Sequence, residues 1–240
     1  MFLDLDGTLV DFAERPDGVE VEPGLPPLLA RLERHFDGAL APLSGRPLKE
    51  IDALLRRRGG AAGGSHGAEI RRADGVMLAS TAHLAPELSR LETQARELAT
   101  AVPGVLVETK PGGIALHYRG APSAAGAVRD AADALLDAAG PGYMLQAGNH
   151  VIELKPAHSD KGAAVAALMA TAPFAGRLPW VLGDDLTDEH AFEEAQRLGG
   201  VAIVVGPRRP SAASHALASP AAVRAWLSAV ANACSSGAAA

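Results

Sequence analysis

Short apolar runs alternate with amphipathic helical stretches at both ends of this 240-residue chain, and the alternation breaks off in the middle. Met1 to Leu5 reads as a buried strand that ends in acids and Gly7. Leu25, Leu28, Leu29, Leu32 and Phe36 recur at helical spacing, which predicts a helix from Pro23 to Phe36, with a second strand from Ala39 to Leu43 behind it. Pro47 opens another helix at a position where its missing N–H does no harm, and Ala61 to His66 reads as a third strand. After the middle the rhythm returns: a helix from Ser159 or Asp160 to Ala170, a strand Trp180 to Leu182, and a helix from about Asp188 to Leu198. A strand Val201 to Val205 and a helix Pro220 to Ala231 complete it, and Ser235 to Ala240 is a small-residue tail expected to fray. Such alternation predicts a parallel α/β sheet with helices on both faces.

The middle repeats a different unit. A helix from Pro86 to Ala101 precedes strands Val105 to Glu108 and Ile114 to Tyr118, joined by the hairpin signal Pro111-Gly112-Gly113. A helix from Ala124 to Ala139 then precedes strands Tyr143 to Gln146 and Val151 to Leu154, with a turn at Gly148-Asn149. Two αββ units make a four-stranded antiparallel sheet with two helices on one face. The expectation is an inserted domain over residues 82 to 157, with residues 1 to 81 and 158 to 240 forming the core around it. An apolar fraction of 48 % with 21 % charged residues can fill two such cores and excludes a disordered chain.

Composition also narrows the partners. A formal net charge of -6 argues against nucleic-acid binding through a basic surface. One cysteine, Cys234, excludes an internal disulfide framework and a cysteine-based zinc cluster. There is no apolar run of membrane-spanning length, and the first ten positions carry the acids Asp4 and Asp6 where a signal peptide needs bases. The expectation is a soluble cytoplasmic protein without a membrane partner. Because the first strand begins at Met1 itself, residues upstream of this numbering are also expected.

Chemistry concentrates in two acidic segments. Asp4-Leu5-Asp6-Gly7-Thr8-Leu9 follows the first strand, and a D-x-D-G-T-[LV] pattern arises by chance in only about one chain in two thousand of this length. Open α/β sheets bind ligands at the carboxyl ends of their strands, where these acids stand. Gly183-Asp184-Asp185-Leu186-Thr187-Asp188-Glu189 follows the strand Trp180 to Leu182. Asp188 and Glu189 suit the start of the next helix, but Asp184 at a buried strand end is costly unless a cation neutralises it. Carboxylates without nearby His or Cys favour a hard ion, and Mg²⁺ fits a site completed by phosphate and water.

Asp4-x-Asp6-Gly7-Thr8, Ser44, Lys161 and Gly183-Asp184-Asp185-x-x-Asp188 together resemble the four ordered motifs of the haloacid dehalogenase superfamily of phosphatases. The insertion lies between the second and third motifs, where that superfamily carries its larger caps. Further segments resemble the trehalose-6-phosphate phosphatase family: Leu43-Ser44-Gly45-Arg46, Ser65-His66-Gly67-Ala68-Glu69, Glu108-Thr109-Lys110, His117-Tyr118-Arg119, Gly148-Asn149-His150-Val151-Ile152-Glu153 and Ser159-Asp160-Lys161-Gly162. One departure is Pro42, inside the second strand just before the serine motif. The resemblance implies a Rossmann-like core with a C2-type α+β cap, and Mg²⁺-dependent hydrolysis of trehalose 6-phosphate through an aspartyl-phosphate.

In that reading Asp4 is the nucleophile and Asp6 the general acid and base. Mg²⁺ is held by the Asp4 and Asp184 carboxylates and the Asp6 carbonyl, with Asp185 and Asp188 behind them. Lys161 offsets the repulsion between Asp4 and phosphate, Ser44 and Thr8 donate to phosphoryl oxygens, and Arg46, His66 and Gly67 touch substrate. Glu108, Lys110, Arg119 and Glu153 bind sugar hydroxyls; their other reading is a cross-strand salt bridge on a solvated sheet face, worth 0 to about 1 kcal/mol. His117 and His150 read as strand-surface residues. His35, His83, His158, His190, His215 and Cys234 receive no role. A trehalose-6-phosphate synthase is the pathway partner the resemblance implies. Related phosphatases of sucrose phosphate or mannosyl-3-phosphoglycerate, a phosphomutase and a silent sugar-phosphate sensor remain open, although the intact Asp4 and Asp6 argue against silence.

Overall fold

Every residue of β1 (Phe2–Asp4) is buried, because the strand runs inside an eight-stranded sheet and its side chains alternate between two apolar layers. The structure, a computed structural model, describes residues 1–12, 18–80, 85–110, 112–148, 150–157 and 159–237. After β1 come α1 (Leu25–His35), β2 (Ala41–Leu43), α2 (Leu48–Leu54), β3 (Ala62–Gly64), β4 (Glu69–Arg71) and β5 (Met77–Ala79). The middle holds α3 (Ala85–Thr100), β6 (Leu106–Lys110), β7 (Gly113–His117), α4 (Ala125–Ala139), β8 (Tyr143–Gly148) and β9 (Val151–Pro156). The chain closes with α5 (Lys161–Met169), β10 (Trp180–Gly183), α6 (Glu189–Arg197), β11 (Val201–Val205), β12 (His215–Leu217) and α7 (Pro220–Gly237). It divides into two compact units, Met1–Ala79 with Asp160–Ala240, and Ser80–Ser159.

In the first unit the strand order is β12-β11-β10-β1-β2-β3-β4-β5. Pairing is parallel from β12 to β3 and antiparallel at β4 and β5. Leu3, Leu182, Ile203 and Ala62 pack with α1, α2 and α7 on one face. Phe2, Ala41, Leu43, Val181, Ala202 and Val204 pack with α5 and α6 on the other. Phe2 stacks on Phe174 with ring centroids 5.1 Å apart. This is the two-faced α/β core that the alternation predicts, extended by three strands without a sequence signal. β4, β5 and β12 lack the full burial of β1, β2 and β3: one residue of β4 is buried and none of β5 or β12.

Other boundaries differ from expectation. The third strand stops at Gly64 because Ser65 and His66 take φ of 49° and 54°, where strand pairing cannot continue. Ser235–Gly237 are helical rather than frayed, since α7 runs on past the anchors Val223, Leu227 and Ala231; residues 238–240 and the Cys234 side chain lie outside the description. Pro42 fits because of its direction. The Ala41 amide donates to Met1 O and the Ser44 amide to Gly63 O, both at 2.9 Å. Amides alternate sides along a strand, so position 42 faces β3, whose pairing with β2 starts only at Leu43 and Gly63.

The second unit has a four-stranded antiparallel sheet in the order β6-β7-β9-β8. Ile114, Leu116, Ile152 and Leu154 pack against Leu91 and Ala95 of α3 and Val128, Ala132 and Leu135 of α4. Strand alternation turns Glu108, Lys110, His117 and Glu153 to the face opposite the one that packs on α3 and α4. Pro111, Asn149, His83 and His158 lie outside the described residues. Among the described residues no helix is long and apolar enough to cross a membrane.

Candidate active site

β1 ends at Asp4, and its neighbour β10 ends one residue before Asp184, with Phe2 opposite Val181 and Leu3 opposite Leu182. Parallel pairing therefore brings two acids 180 positions apart to the same edge of the sheet. The turn that follows Asp6 needs glycine. Gly7 has φ +85°, and a Cβ there would sit 2.3 Å from Asp184 Oδ2. The fully buried Thr8 donates its hydroxyl to Asp184 Oδ1 at 3.1 Å. The hydroxyl that the resemblance directs at phosphate thus orients Asp184 in this structure.

Lys161 opens α5, where a cation opposes the helix dipole. Asp160 offsets part of this as N-cap, accepting from the Ala163 amide at 2.7 Å. The Lys161 Nζ lies 2.6 Å from Asp4 Oδ1 and 2.6 Å from Asp188 Oδ1, with the residue 3 % exposed. Asp188 Oδ2 accepts from the amides of Asp184 and Asp185 at 3.1 and 3.0 Å. Asp188 thus braces the lysine on one side and the turn carrying Asp184 on the other. Asp185 does not join this group: it is exposed, and its Oδ1 caps the turn Leu186–Asp188 through the Leu186 amide at 2.6 Å.

Charge in this cluster is unbalanced, three carboxylates to one ammonium. Burial raises the Asp4 carboxyl well above its ordinary value; Lys161 opposes that, and Asp188 and Asp184 add to it. Burial, then Asp188, pushes Asp184 up to about 6. Burial disfavours the Lys161 ammonium, but Asp188 and Asp4 outweigh it and hold the proton on. Carboxylate oxygens of Asp4, Asp184 and Asp188 all lie within 4.8 Å of one another. Asp188 is saturated by Lys161 and two amides, which leaves Asp4 and Asp184 to bind a cation. An oxygen-only donor set with excess negative charge fits a hard divalent ion.

Ser44 and Arg46 stand beside this cluster, after β2. Ser44 is 2 % exposed, and its Oγ accepts from the Arg46 amide at 3.1 Å, which leaves its hydroxyl proton for another acceptor. Arg46 grips Asp6 through two bonds, Nε to Oδ2 at 2.7 Å and Nη2 to Oδ1 at 2.8 Å. Sequence reasoning assigned Arg46 to substrate; the structure engages it with the second acid of the motif. The amides of Ser65 and His66 donate to Arg46 O and Ser44 O at 2.9 and 3.0 Å, so His66 and Gly67 lie beside the serine motif.

In the second unit, Lys110 Nζ lies 3.0 Å from Glu153 Oε2. Glu108 and Glu153 both face Ala115 across the strands, in one row. The Glu108 carboxylate meets His117 Nε2 at 2.8 Å, and this hydrogen bond, ahead of Lys110, holds the Glu108 carboxyl below its usual range. His117, a strand-surface residue by sequence, meets Glu108 through the diagonal approach across two strands. Arg119 is exposed in the turn after β7 and is not brought to this group. Glu69, which received no role from sequence, accepts from both Ser65 and Leu48.

The trehalose-phosphatase family model matches residues 2–221. The chain is 43 % identical over 222 residues to "Probable trehalose-phosphate phosphatase" of Sinorhizobium fredii, covering 91 % of this chain and 81 % of that one. It is 40 % identical over 206 residues to the trehalose-6-phosphate phosphatase of Escherichia coli, covering 85 % and 76 %. Its fold matches the crystal structure of a trehalose-6-phosphate phosphatase related protein with TM-score 0.81 and 24 % identity, over 96 % of each chain. With its acid cluster at the carboxyl edge of a doubly covered α/β sheet, this chain belongs to the trehalose-phosphatase family.

Proposed function

We propose that this chain hydrolyses trehalose 6-phosphate to trehalose and phosphate, with Mg²⁺ as cofactor and Asp4 as nucleophile. The observation that carries the reading is the buried Asp4–Lys161–Asp188 chain beside Asp184. It offers a carboxylate oxygen already aligned by a cation, next to a second carboxylate for the metal. Asp4 and Asp184, with the Asp6 carbonyl, are the residues that would hold Mg²⁺, and the ion supplies charge neutralisation between Asp4 and the phosphate.

In the first step an Asp4 oxygen attacks phosphorus, the phosphorus–oxygen ester bond breaks, and its electron pair leaves on the sugar oxygen. Asp6 gives that oxygen a proton. In the second step Asp6 takes a proton from water, whose oxygen attacks phosphorus and breaks the bond to Asp4. Both Asp6 oxygens are engaged by Arg46, so Arg46 has to release at least one of them before Asp6 carries its proton. Lys161 and the Ser44 hydroxyl stabilise the charge on the phosphoryl oxygens. Recognition of the sugar is assigned to the face of the four-stranded sheet opposite α3 and α4, through Glu108, Lys110 and Glu153; the paired, partly buried state of Lys110 and Glu153 supports this.

Phosphate release over a panel of sugar phosphates, with Mg²⁺ and after chelation, tests the proposal. The expected result is preference for trehalose 6-phosphate, loss in EDTA and recovery with Mg²⁺. Full activity in exhaustively chelated buffer would leave the acid cluster with a structural role only.

A further inference from the structure

The turn Ser65–His66–Gly67 is held in an unfavourable shape. Ser65 and His66 both carry side chains, yet their φ values are 49° and 54°, in the left-handed region that such residues avoid. The His66 ring lies over Gly45, where a Cβ would stand 2.5 Å from its Nε2. The amide bonds to Ser44 O and Arg46 O fix the backbone on one side. On the other side a single carboxylate oxygen does two tasks. Glu69 Oε2 accepts from the Ser65 hydroxyl at 3.0 Å and from the Leu48 amide at 3.1 Å. Leu48 is the first residue of α2, and its N-cap, Pro47, has no side chain able to cap the helix. Glu69, from β4, therefore caps α2 and pins Ser65 at once.

We propose that Glu69 is a positioning residue: through Ser65 and Leu48 it holds the turn that sets the His66 ring over the Ser44-Gly45-Arg46 segment. The proposal rests on the proposed function together with the substrate contact that the family resemblance assigns to His66. Glu69 then acts on substrate only through His66, and its removal matters only while His66 is present. If Glu69 served stability alone, its loss and that of His66 would be independent.

The experiment is a double-mutant cycle on the full chain with Mg²⁺ and trehalose 6-phosphate, with melting temperatures and the His66 ring ¹H–¹³C resonance recorded for each variant. Glu69→Ala and His66→Ala are each expected to raise KM about tenfold with kcat within about twofold. The double variant should be no worse than His66→Ala. Glu69→Gln, which keeps an acceptor oxygen, should restore KM and leave the ring resonance in place, whereas Glu69→Ala moves it. Ser65→Ala removes one of the two bonds and should shift KM and resonance in the same direction, so it replaces Glu69→Ala if that variant does not fold. The proposal is overturned if the KM effects multiply in the double variant, if His66→Ala keeps the parental KM, or if the His66 resonance is unmoved in Glu69→Ala. A parent that releases no phosphate from trehalose 6-phosphate overturns the functional reading instead, and the ring resonance still decides the role of Glu69.

Discussion

Asp4, Asp184 and Asp188 share one ammonium, and that count governs what substitution of each residue does. Lys161→Ala leaves Asp4 and Asp188 buried without their cation, an expected loss of about 3–5 kcal/mol in a denaturant titration. Asp4→Asn removes a charge that Lys161 only partly balances. Phosphate release should fall at least about a thousandfold, while the metal-free variant melts no lower than the parent. Turnover within tenfold of the parent would remove Asp4 from its assigned role. Asp184 adds a pH dependence. Its carboxyl is raised from 3.8 to about 6, so between those values the folded chain keeps a proton that the unfolded chain has released. Its contribution to stability is full below about 4 and is lost as pH rises through about 6. In EDTA the parent should therefore lose stability relative to Asp184→Asn across that window; a constant gap in melting temperature would show that Asp184 does not titrate there.

At the scale of elements, α5 places Lys161, and Asp160 is what starts α5 one residue earlier. Asp160→Ala removes the cap from the Ala163 amide, with an expected cost of about 1 kcal/mol in stability. Because the same turn aims the lysine, turnover should fall by more than that cost implies; equal losses in both would separate the cap from the site. The long helices and the central strands were legible in the sequence, since Leu25, Leu29 and Leu32 show a helical period and each central strand is a short apolar run. β4, β5 and β12 were not, because pairing with a neighbour, rather than a buried apolar run, makes them strands. The left-handed pair Ser65 and His66 was equally hidden. Neither residue type signals that conformation, which depends on Glu69 and on Gly45 beneath the ring.

For the whole molecule, the proposed function divides phosphate chemistry and sugar reading between the two units. Glu108→Ala and Glu153→Ala should each lower kcat/KM for trehalose 6-phosphate by 1 to 3 kcal/mol, about 5- to 150-fold, the range of a hydrogen bond to a charged group. Hydrolysis of a small aryl phosphate should be nearly unchanged, because a substrate without the sugar hydroxyls leaves those partners unused. Equal losses on both substrates would mean that Glu108 and Glu153 hold their sheet together rather than read the sugar. Folding supports separate roles to this extent: each unit closes its own apolar core, one around β1 and one around β7.

The sequence by itself determined the α/β rhythm, the doubled αββ middle and the residue types at the strand ends, because periodicity and turn chemistry are local properties. The D-x-D-G-T pattern, the second acid cluster and the family resemblance also marked Asp4, Asp6, Asp184, Asp188 and Lys161. Tertiary structure alone decided which of these groups meet. The strand order put Asp4 beside Asp184, and parallel register turned Thr8 onto Asp184 rather than outward. The same packing brought Arg46 to Asp6, and diagonal strand pairing brought His117 to Glu108. A side chain's partner is set by which group lies within about 3 Å of its tip, and for pairs 9 to 180 positions apart on different elements no local pattern encodes that distance.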